Sequence, residues 1–528
     1  MVNNTIRDTQ RKLPMSQLTS DKKRIAKNTL FLYFRLLFTL VVSLYTSRVV
    51  LQVLGVSDFG IYNVVGGFIN MLAFLNLGMT GASQRFLSYE IGKGDGQRIH
   101  LVFCTSVITH FAIAAIVFTL MEIFGVWILN SYMNIPEERM TAANWVLQFS
   151  ILTFCFSTIN VPFNSCIVAH EHMNVYAYIS IADVVLKLAI VFIIQFVTFD
   201  LLILYAFLIF IVQIIIQLIY YFYCRRHFEE CHISALFDKK LFKEMFSFAG
   251  WNMIGHLGFS FKGQGVNIII NLFLGTAVNA AFGIARQVNG VVNNFAYNFS
   301  MAMNPQIIKL YAAGSNEESL KLSYSGARFT FFLLTMIAIP LIINMDYVLK
   351  LWLGDVPEYT SILAIVVLLN SAINSMSNTI TTAIYARGHV KLFQTSLAAL
   401  LLLELPAAYV ILKLGGTPYE AILPSLITVS LSLLLRIVIL KRYESACCVK
   451  EYLLDCIVRC VLIFLIGYGL SCFIYSIVGG NTLYSLILNT VISIVTYGLI
   501  VFLLGLKQNE RKMILRKVQG LINYRNNK

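Results

Sequence analysis

The chain has 528 residues, of which 58% are hydrophobic and only 12% are charged. Soluble globular proteins carry about 25% charged residues, so this composition excludes a soluble enzyme or binding domain and indicates a polytopic membrane protein. The net charge of +14 does not indicate a nucleic-acid partner, because the basic residues concentrate in segments between and after apolar stretches, where anionic membrane lipids attract them.

The chain begins with a polar tail, residues 1–27, which lacks the apolar core and small-residue cleavage site of a cleaved signal peptide. Apolar segments then follow one another to residue 506. They are too long and too continuously apolar for barrel strands, and a spanning helix needs about 20 such residues. The sequence therefore predicts an all-α fold of about fourteen transmembrane helices. Their predicted centres are Leu40, Met71, Ile113, Leu152, Leu186, Ile211, Phe261, Gly290, Ala338, Leu368, Leu401, Leu431, Leu465 and Ile494.

An internal repeat organises these segments. Sparse identities recur in the two halves of the chain at a near-constant offset, and any one of them alone would not be significant. The matching pairs are Leu54-Gly55 with Leu274-Gly275, Ala82 with Ala302, and Gly94 with Gly314. Their common order predicts two six-helix lobes. Because each lobe has an even number of spans, the repeat is parallel, about an axis along the membrane normal.

The repeat sets the predicted boundaries along the chain. The first lobe is predicted at residues 28–223 and the second at 246–441, joined by a basic linker at 224–245. Two helices outside the repeat occupy 442–506, and residues 507–528 form a basic amphipathic tail. Lysine and arginine are concentrated in the linker, the tail and the other segments on one predicted side. The positive-inside rule therefore predicts that both termini and the linker are cytoplasmic.

Four cations fall within predicted spans: Arg35 in the first, Lys187 in the fifth, Lys262 in the seventh and Arg286 in the eighth. An ionised side chain near the bilayer centre costs several kcal/mol, so such residues normally face a water-filled cavity or a partner. We therefore predict that these four residues line a cationic cavity. A cavity of this charge suggests an anionic cargo.

Two acids also lie deep in predicted spans. Asp183 stands four residues before Lys187 on one helical face, so these two side chains are predicted to pair. The pair is either a way to bury both charges or a switch in which proton or sodium binding to Asp183 frees Lys187. Glu404, in the eleventh span, has no local partner in the sequence. It is either protonated or paired with Lys262 or Arg286.

The stretch from Gly258 to Asn267 combines glycines with Lys262, Gln264 and Asn267 inside an apolar span. Polar groups and flexible backbone at membrane depth are tolerated only beside water or protein. The sequence therefore predicts that Gln264 and Asn267 add polar surface to the cavity. Close packing of helices at small residues is the competing explanation for the glycines.

The linker contains the tightest group of metal-ligating residue types: Cys224, His227, Cys231 and His232. Their spacing is not one of the usual zinc patterns, so we predict no metal site and no disulfide framework. The phosphate-binding motif GxxxxGK[ST] is also missing from the sequence. These observations favour a secondary transporter with no catalytic residues and no cofactor, coupled to an ion such as Na⁺ or H⁺.

Several segments resemble bacterial polysaccharide-biosynthesis flippases of the Wzx type, which transport O-antigen. They are SLYTSRVVLQVLGVSDFGIYNVVGG and ASQRFLSYEIGKGD near the start, then WNMIGHLGFSFKGQGVNIIINLFLG, VNAAFGIARQVNG and NPQIIKLYAAG. The superfamily also includes multidrug and toxic-compound extrusion antiporters and the lipid II flippase. Twelve helices are usual in Wzx proteins and fourteen in the lipid II flippase.

The resemblance implies a V-shaped pair of lobes in the bacterial inner membrane, open alternately to either side. Its cargo would be an undecaprenyl-diphosphate-linked oligosaccharide, the repeat unit of O-antigen, capsule or exopolysaccharide. Arg35 and Arg286 lie on the helices where flippases of this family carry cavity arginines. A polysaccharide polymerase and glycosyltransferases are the partners that the resemblance implies.

Two other functions remain open at this point. A cation-coupled multidrug antiporter of the same fold would need an acidic cavity. The predicted spans contain four deep cations and only two deep acids, Asp183 and Glu404, which disfavours this function. A non-transporting scaffold for a polysaccharide assembly complex is the second alternative. It predicts that the deep charges can be neutralised without loss of function.

Overall fold

The computed structural model of the protein describes residues 15–512 and 515, with gaps at 171, 198, 313, 388–389 and 480–481. Side chains are described from residue 37 onward, apart from those at 92, 251–252, 255, 297–298, 301–302, 305, 309, 312 and 390. Within these residues every regular element is a helix, which confirms the predicted all-α class. Most of the predicted amphipathic tail, residues 507–528, lies outside the described part.

Eighteen α-helices follow one another along the described chain. The first nine are α1 Met15–Asn70, α2 Ala73–Lys93, α3 Gly96–Leu120, α4 Val126–Tyr132, α5 Met140–Ala169, α6 Met173–Ile194, α7 Leu201–His227, α8 Lys239–Ala312 and α9 Asn316–Ile343. The others are α10 Met345–Leu353, α11 Thr360–Ser375, α12 Asn378–Ala386, α13 Val390–Leu402, α14 Glu404–Lys413, α15 Pro424–Tyr443, α16 Val449–Glu451, α17 Arg459–Val478 and α18 Leu483–Ile500. Short π-helical segments Met121–Gly125, Tyr452–Val458 and Val501–Gly505 extend some of them, and 3₁₀ turns lie at Glu137–Arg139 and Glu229–Cys231.

The helices are long and apolar enough to cross a membrane many times. Among the described residues, 12 helical stretches meet the length and hydropathy expected of membrane spans. Two of these stretches, in α1 and α8, each contain two helices joined at a glycine with non-helical backbone angles. The protein is therefore a multi-pass membrane protein, and the exact number of fourteen spans stays a prediction.

The glycines of the predicted repeat have matching backbone conformations. Gly55 (φ 76°, ψ 170°) and Gly275 (φ 77°, ψ −172°) interrupt α1 and α8 with the same angles. Gly94 and Gly314 follow the ends of α2 and α8 with φ of 76° and 80°. Positive φ of this kind favours glycine, since a Cβ atom disfavours these conformations. The sparse sequence repeat thus marks equivalent turns in the two halves of the chain.

The chain divides into two compact units that interleave along the sequence. Unit 1 contains residues up to Val49, Met79–Leu120 and Phe149–Ser247. Unit 2 contains Val50–Gly78, Met121–Gln148 and the chain from Phe248 onward. Segments from the first half of the sequence therefore pack with the second half. The predicted boundaries at 28–223 and 246–441 come from the sequence repeat and remain a prediction.

The core of unit 1 is built from α3, α5, α6 and α7. Phe103 and Phe163 are buried and meet edge to face, with ring centroids 5.4 Å apart. Helices α6 and α7 pack along each other, and the 3₁₀ turn Glu229–Cys231 packs on α3. Part of the predicted linker therefore belongs to the folded core of this unit.

The core of unit 2 is centred on α9, which packs against α11, α12, α17 and α18. Tyr497 of α18 is buried, and its hydroxyl lies 2.7 Å from Oγ1 of Thr335 on α9. Gly467 of α17 gives the Tyr497 ring its space, because a Cβ at this position would lie 2.3 Å from a ring carbon. These contacts fix the last two helices on α9.

The conformation of Gly55 leads to a stability prediction. The angles φ 76° and ψ 170° lie in a region that is essentially restricted to glycine, and non-glycine residues there cost of order 1–3 kcal/mol. We expect Gly55→Ala to lower the thermal midpoint of the detergent-purified protein by several degrees. No heavy atom lies within 4 Å of the added Cβ, so the effect would come from the backbone alone.

Gly66→Ala is the matched control for this prediction. Gly66 lies in the helical part of α1, and a Cβ there also meets nothing within 4 Å. Alanine is favoured over glycine inside a helix by about 0.5–1 kcal/mol, so this variant should melt at or above the native midpoint. Equal midpoints for Gly55→Ala and Gly66→Ala would contradict the argument.

Candidate functional site

A cavity of about 240 Å³ lies within unit 2, between α8, α11, α14 and the start of α15. Its polar lining consists of Lys262, Arg286, Asn289, Asn370, Glu404 and Ser425. The volume is below the roughly 300–1,000 Å³ of pockets that enclose drug-sized ligands. The cavity can therefore hold the charged group of a large cargo but not an oligosaccharide.

The turn at Gly275 brings the two cations of the cavity together. Lys262 precedes this glycine in α8 and Arg286 follows it. In a straight helix, Gly263 and Arg286 would lie about 35 Å apart. Instead, the Arg286 guanidinium is 3.4 Å from the carbonyl oxygen of Gly263 and 3.1 Å from Oε1 of Gln264. The chain therefore folds back at Gly275, and residues of both halves of α8 line one cavity.

Lys262 forms an ion pair with Glu404 at the cavity wall. Its Nζ lies 2.7 Å from Oε1 of Glu404, and the two side chains are only 17% and 3% exposed. The Thr428 hydroxyl donates a second hydrogen bond to the same carboxylate oxygen. The sequence left protonation, Lys262 and Arg286 as alternatives for Glu404. The structure places it against Lys262.

Arg286 carries a charge that no carboxylate balances among the described residues. Its guanidinium donates to the Gly263 carbonyl and to Gln264, and it lies 5.9 Å from the centroid of the Phe282 ring. The side chain is exposed to the cavity. Both of its described acceptors are neutral, so they do not balance the positive charge of the guanidinium. Several of its N–H groups also have no acceptor among the described residues. This part of the cavity can bind an anion.

Gln264 and Asn267 occupy different positions from each other. Gln264 accepts a hydrogen bond from Arg286 and so orients the guanidinium. Neither Gln264 nor Asn267 is among the residues that line the cavity. The Asn267 side chain is buried in a network of amides across the Gly275 turn. Nδ2 of Asn279 lies 2.8 Å from Oδ1 of Asn267, and Nδ2 of Asn271 lies 2.9 Å from Oδ1 of Asn279. This network joins the two halves of α8 beside the Gly275 turn.

The other predicted site residues lie in the first part of the chain. Lys187 donates to Asp183 at 2.8 Å in α6 of unit 1, with both side chains partly exposed. Their roles as switch or cargo contact remain predictions. Arg35 falls in a part of α1 whose side chains lie outside the described residues, so its predicted cavity role also remains a prediction.

Sequence reasoning missed a deep cation in α15. Arg436 is buried and lines a second cavity of about 370 Å³ within unit 2, with His256, Asn304, Thr381 and Gln394. Its guanidinium donates to Thr381 and Ser432, and it forms no ion pair among the described residues. The signal was a single arginine inside the apolar run SLLLRIVIL. Lys441 and Arg442 follow within six residues, so the sequence alone does not separate Arg436 from the basic end of this helix.

The model of a family described as polysaccharide biosynthesis protein matches residues 25–311, which is more than half of the chain. The chain belongs to this family. A comparison with curated proteins found no match. The region matched includes Lys262, Arg286 and the glycine turns at Gly55 and Gly275.

Solved structures show which fold this family member has. An inward-facing multidrug resistance MATE family transporter of the MOP superfamily matches with a TM-score of 0.62 and 13% identity, covering 76% of this chain and 96% of that one. The lipid II flippase MurJ, in an inward closed conformation, matches with a TM-score of 0.64 and 13% identity, covering 90% and 99%. A MOP superfamily transporter from Pyrococcus furiosus matches with a TM-score of 0.57 and 13% identity, covering 80% and 96%. This member of the polysaccharide biosynthesis protein family therefore has the fold of the MOP superfamily, which confirms the resemblance found in the sequence.

Proposed function

We propose that the protein is a flippase that moves an undecaprenyl-diphosphate-linked oligosaccharide across the bacterial inner membrane. Membership of the polysaccharide biosynthesis protein family supports a cargo made of sugars. The MOP-superfamily fold supports a transport function. The observation that carries the proposal is the guanidinium of Arg286, which faces the unit 2 cavity without a carboxylate partner among the described residues.

A diphosphate group matches the chemistry of this cavity. The planar guanidinium of Arg286 presents paired N–H donors that suit bidentate contact with a phosphate, whereas a lysine ammonium acts as a point charge. Asn289, Asn370 and Ser425 add neutral polar groups to the wall. The oligosaccharide exceeds the cavity volume and would occupy the aqueous space beside it, while the prenyl chain stays in lipid.

Lys262 would supply a second positive charge, but only when Glu404 no longer neutralises it. In the described state Glu404 neutralises Lys262. Binding of a proton or Na⁺ by Glu404 would release the ammonium for the diphosphate. Cargo binding and ion binding would then be coupled through the Glu404 side chain. The membrane potential contributes about 2.3 kcal/mol per charge per 100 mV, which is adequate to drive such a cycle.

The proposal implies an orientation in the membrane and a set of partner enzymes. Both termini and the linker would be cytoplasmic, in line with their basic residues. Glycosyltransferases would supply the lipid-linked oligosaccharide on the cytoplasmic side, and a polysaccharide polymerase would use it on the other. The protein itself would perform no covalent chemistry.

Deletion of the gene tests the proposed function in the cell. We expect a deletion strain to lose surface polysaccharide and to accumulate the lipid-linked oligosaccharide on the cytoplasmic leaflet, and a plasmid copy to reverse both changes. Normal surface polysaccharide together with increased sensitivity to cationic drugs would contradict the proposal and favour the multidrug antiporter.

A further inference from the structure

Four metal-ligating side chains meet at the end of α5 in unit 1, far in sequence from the cavity residues. Cys166 and His170 lie at the end of α5 and in the turn after it, and Glu230 and Cys231 lie in the 3₁₀ turn of the linker. The ligand atoms of Cys166, His170 and Glu230 all lie within 4.8 Å of one another. The Cys231 thiol lies 3.4 Å from the Cys166 thiol, but it lies outside the group whose ligand atoms are all within 4.8 Å of one another, so it would have to move closer to His170 and Glu230 to complete a four-ligand site.

Two of the distances around Cys166 are close to those of a tetrahedral zinc site. Two thiolates at 2.3 Å from one zinc ion lie about 3.8 Å apart, and a thiolate and a carboxylate oxygen about 3.6 Å apart. The structure has 3.4 Å between the sulfur atoms of Cys166 and Cys231, and 3.5 Å between the Cys166 sulfur and Oε1 of Glu230. Nε2 of His170 is 2.5 Å from the same carboxylate oxygen, a direct hydrogen bond that is shorter than the roughly 3.4 Å between two such ligands of one zinc ion, so these two groups would separate when the metal binds.

We propose that Cys166, His170, Glu230 and Cys231 bind a Zn²⁺ ion. Two thiols, an imidazole and a carboxylate form a donor set that suits zinc, and hard cations such as Mg²⁺ prefer oxygen ligands. Both cysteines are fully buried and are free thiols. On binding, each thiol loses its proton and the metal replaces the proton that joins His170 to Glu230.

Neighbouring groups hold the proposed ligands in place. The His170 ring stacks on Phe228, with ring centroids 4.2 Å apart and planes 11° apart. Nδ1 of His100 on α3 lies 2.8 Å from the backbone oxygen of Glu230, and its Nε2 lies 3.0 Å from Oγ of Ser234. Outer contacts of this kind orient the ligands of metal sites and contribute to affinity. They position the linker turn against α3 before any metal binds.

The proposed site differs from the group of Cys224, His227, Cys231 and His232 that is close together in the linker sequence. His227 contacts the backbone oxygen of Tyr223 through Nδ1, and His232 contacts that of Glu229, and both side chains are exposed. The Cys231 side chain instead contacts Cys166 at the end of α5. Cys166 and His170 lie close together there and provide the neighbouring ligands that the linker sequence alone does not. The metal would fasten the linker to the core of unit 1, a structural role that is independent of the proposed cargo.

Cobalt titration of the purified full-length protein tests this site directly. Co²⁺ substitutes for Zn²⁺, and its thiolate complexes absorb through a charge-transfer band. We expect one Co²⁺ per native chain, displaced by one equivalent of Zn²⁺, and a higher thermal midpoint with metal bound. Cys166→Ser and His170→Gln should each weaken binding by at least about 100-fold.

Cys155→Ser is the matched control. Cys155 is a buried free thiol of the same unit, and it contacts the Ala114 carbonyl instead of the cluster. This variant should bind Co²⁺ as the native protein does. Absence of the band in the native protein would overturn the proposal, and so would unchanged binding by both ligand variants.

Discussion

Cells whose only copy carries Arg286→Ala are expected to lose surface polysaccharide and to trap lipid-linked precursor on the cytoplasmic leaflet. Arg286 presents an unbalanced guanidinium to the unit 2 cavity, with only the Gly263 carbonyl and Gln264 as described acceptors. Hydrogen bonds to charged groups contribute about 1.5–3 kcal/mol each. Loss of one such contact with the diphosphate corresponds to an affinity about 10- to 150-fold weaker, and loss of a bidentate pair to more.

Two further variants show whether the effect belongs to the cavity. Arg286→Lys keeps the charge but removes bidentate geometry, so an intermediate phenotype is expected. Arg442→Ala removes an exposed arginine at the end of α15 that lies outside the cavity, and it should behave as the native protein does. Normal polymer and no trapped precursor in Arg286→Ala, at native membrane abundance, would contradict cationic capture of the diphosphate.

Glu404→Ala is expected to give the largest loss of stability among the cavity variants. The substitution leaves the Lys262 ammonium mostly buried without its only described carboxylate partner. Removal of one member of a buried ion pair typically costs 3–5 kcal/mol. The thermal midpoint of the purified protein should fall by several degrees or more. Glu138→Ala, which removes an exposed acid without an ion pair among the described residues, should leave the midpoint unchanged.

A double variant separates the structural role of this pair from its transport role. Lys262→Met with Glu404→Gln removes both charges together, and such replacements of buried pairs are often neutral or stabilising. The amide oxygen introduced by Glu404→Gln would still accept the hydrogen bond of the Thr428 hydroxyl. We expect this protein to regain the native midpoint and to remain inactive in transport. A stable double variant with full transport would show that the pair only buries charge, and a native midpoint for Glu404→Ala would contradict the ion pair itself.

Local patterns made part of this architecture predictable. The helix content follows from composition, and the bonded pair of Asp183 and Lys187 follows from their i,i+4 spacing. The turn at Gly275 was visible as a repeat of the turn at Gly55, although two identities between distant segments carried little weight alone. The residues that form each helix, and the pair of Asp183 and Lys187, lie close in sequence. Helical geometry alone therefore determines their relative positions.

Contacts between distant helices were not determined by the sequence. Glu404 had three possible states, because the packing of α14 against α8 decides which cation it meets. Gln264 and Asn267 were predicted from the same stretch of sequence, and only the folded turn shows that Gln264 contacts Arg286 while Asn267 lies opposite Asn279 in a buried amide network. Cys166 and Cys231 lie 65 residues apart in sequence, so only the folded linker shows that the two thiols meet.

Transport in reconstituted vesicles tests the central claim most directly. Purified native protein, Arg286→Ala and Arg442→Ala would be placed in liposomes with a fluorescent polyprenyl-diphosphate-linked oligosaccharide, and movement between leaflets would be followed by quenching from outside. The account predicts rapid movement with native protein and with Arg442→Ala, and movement near the protein-free rate with Arg286→Ala. Equal rates for native protein and Arg286→Ala would contradict the account, and so would a native rate no higher than that of empty vesicles.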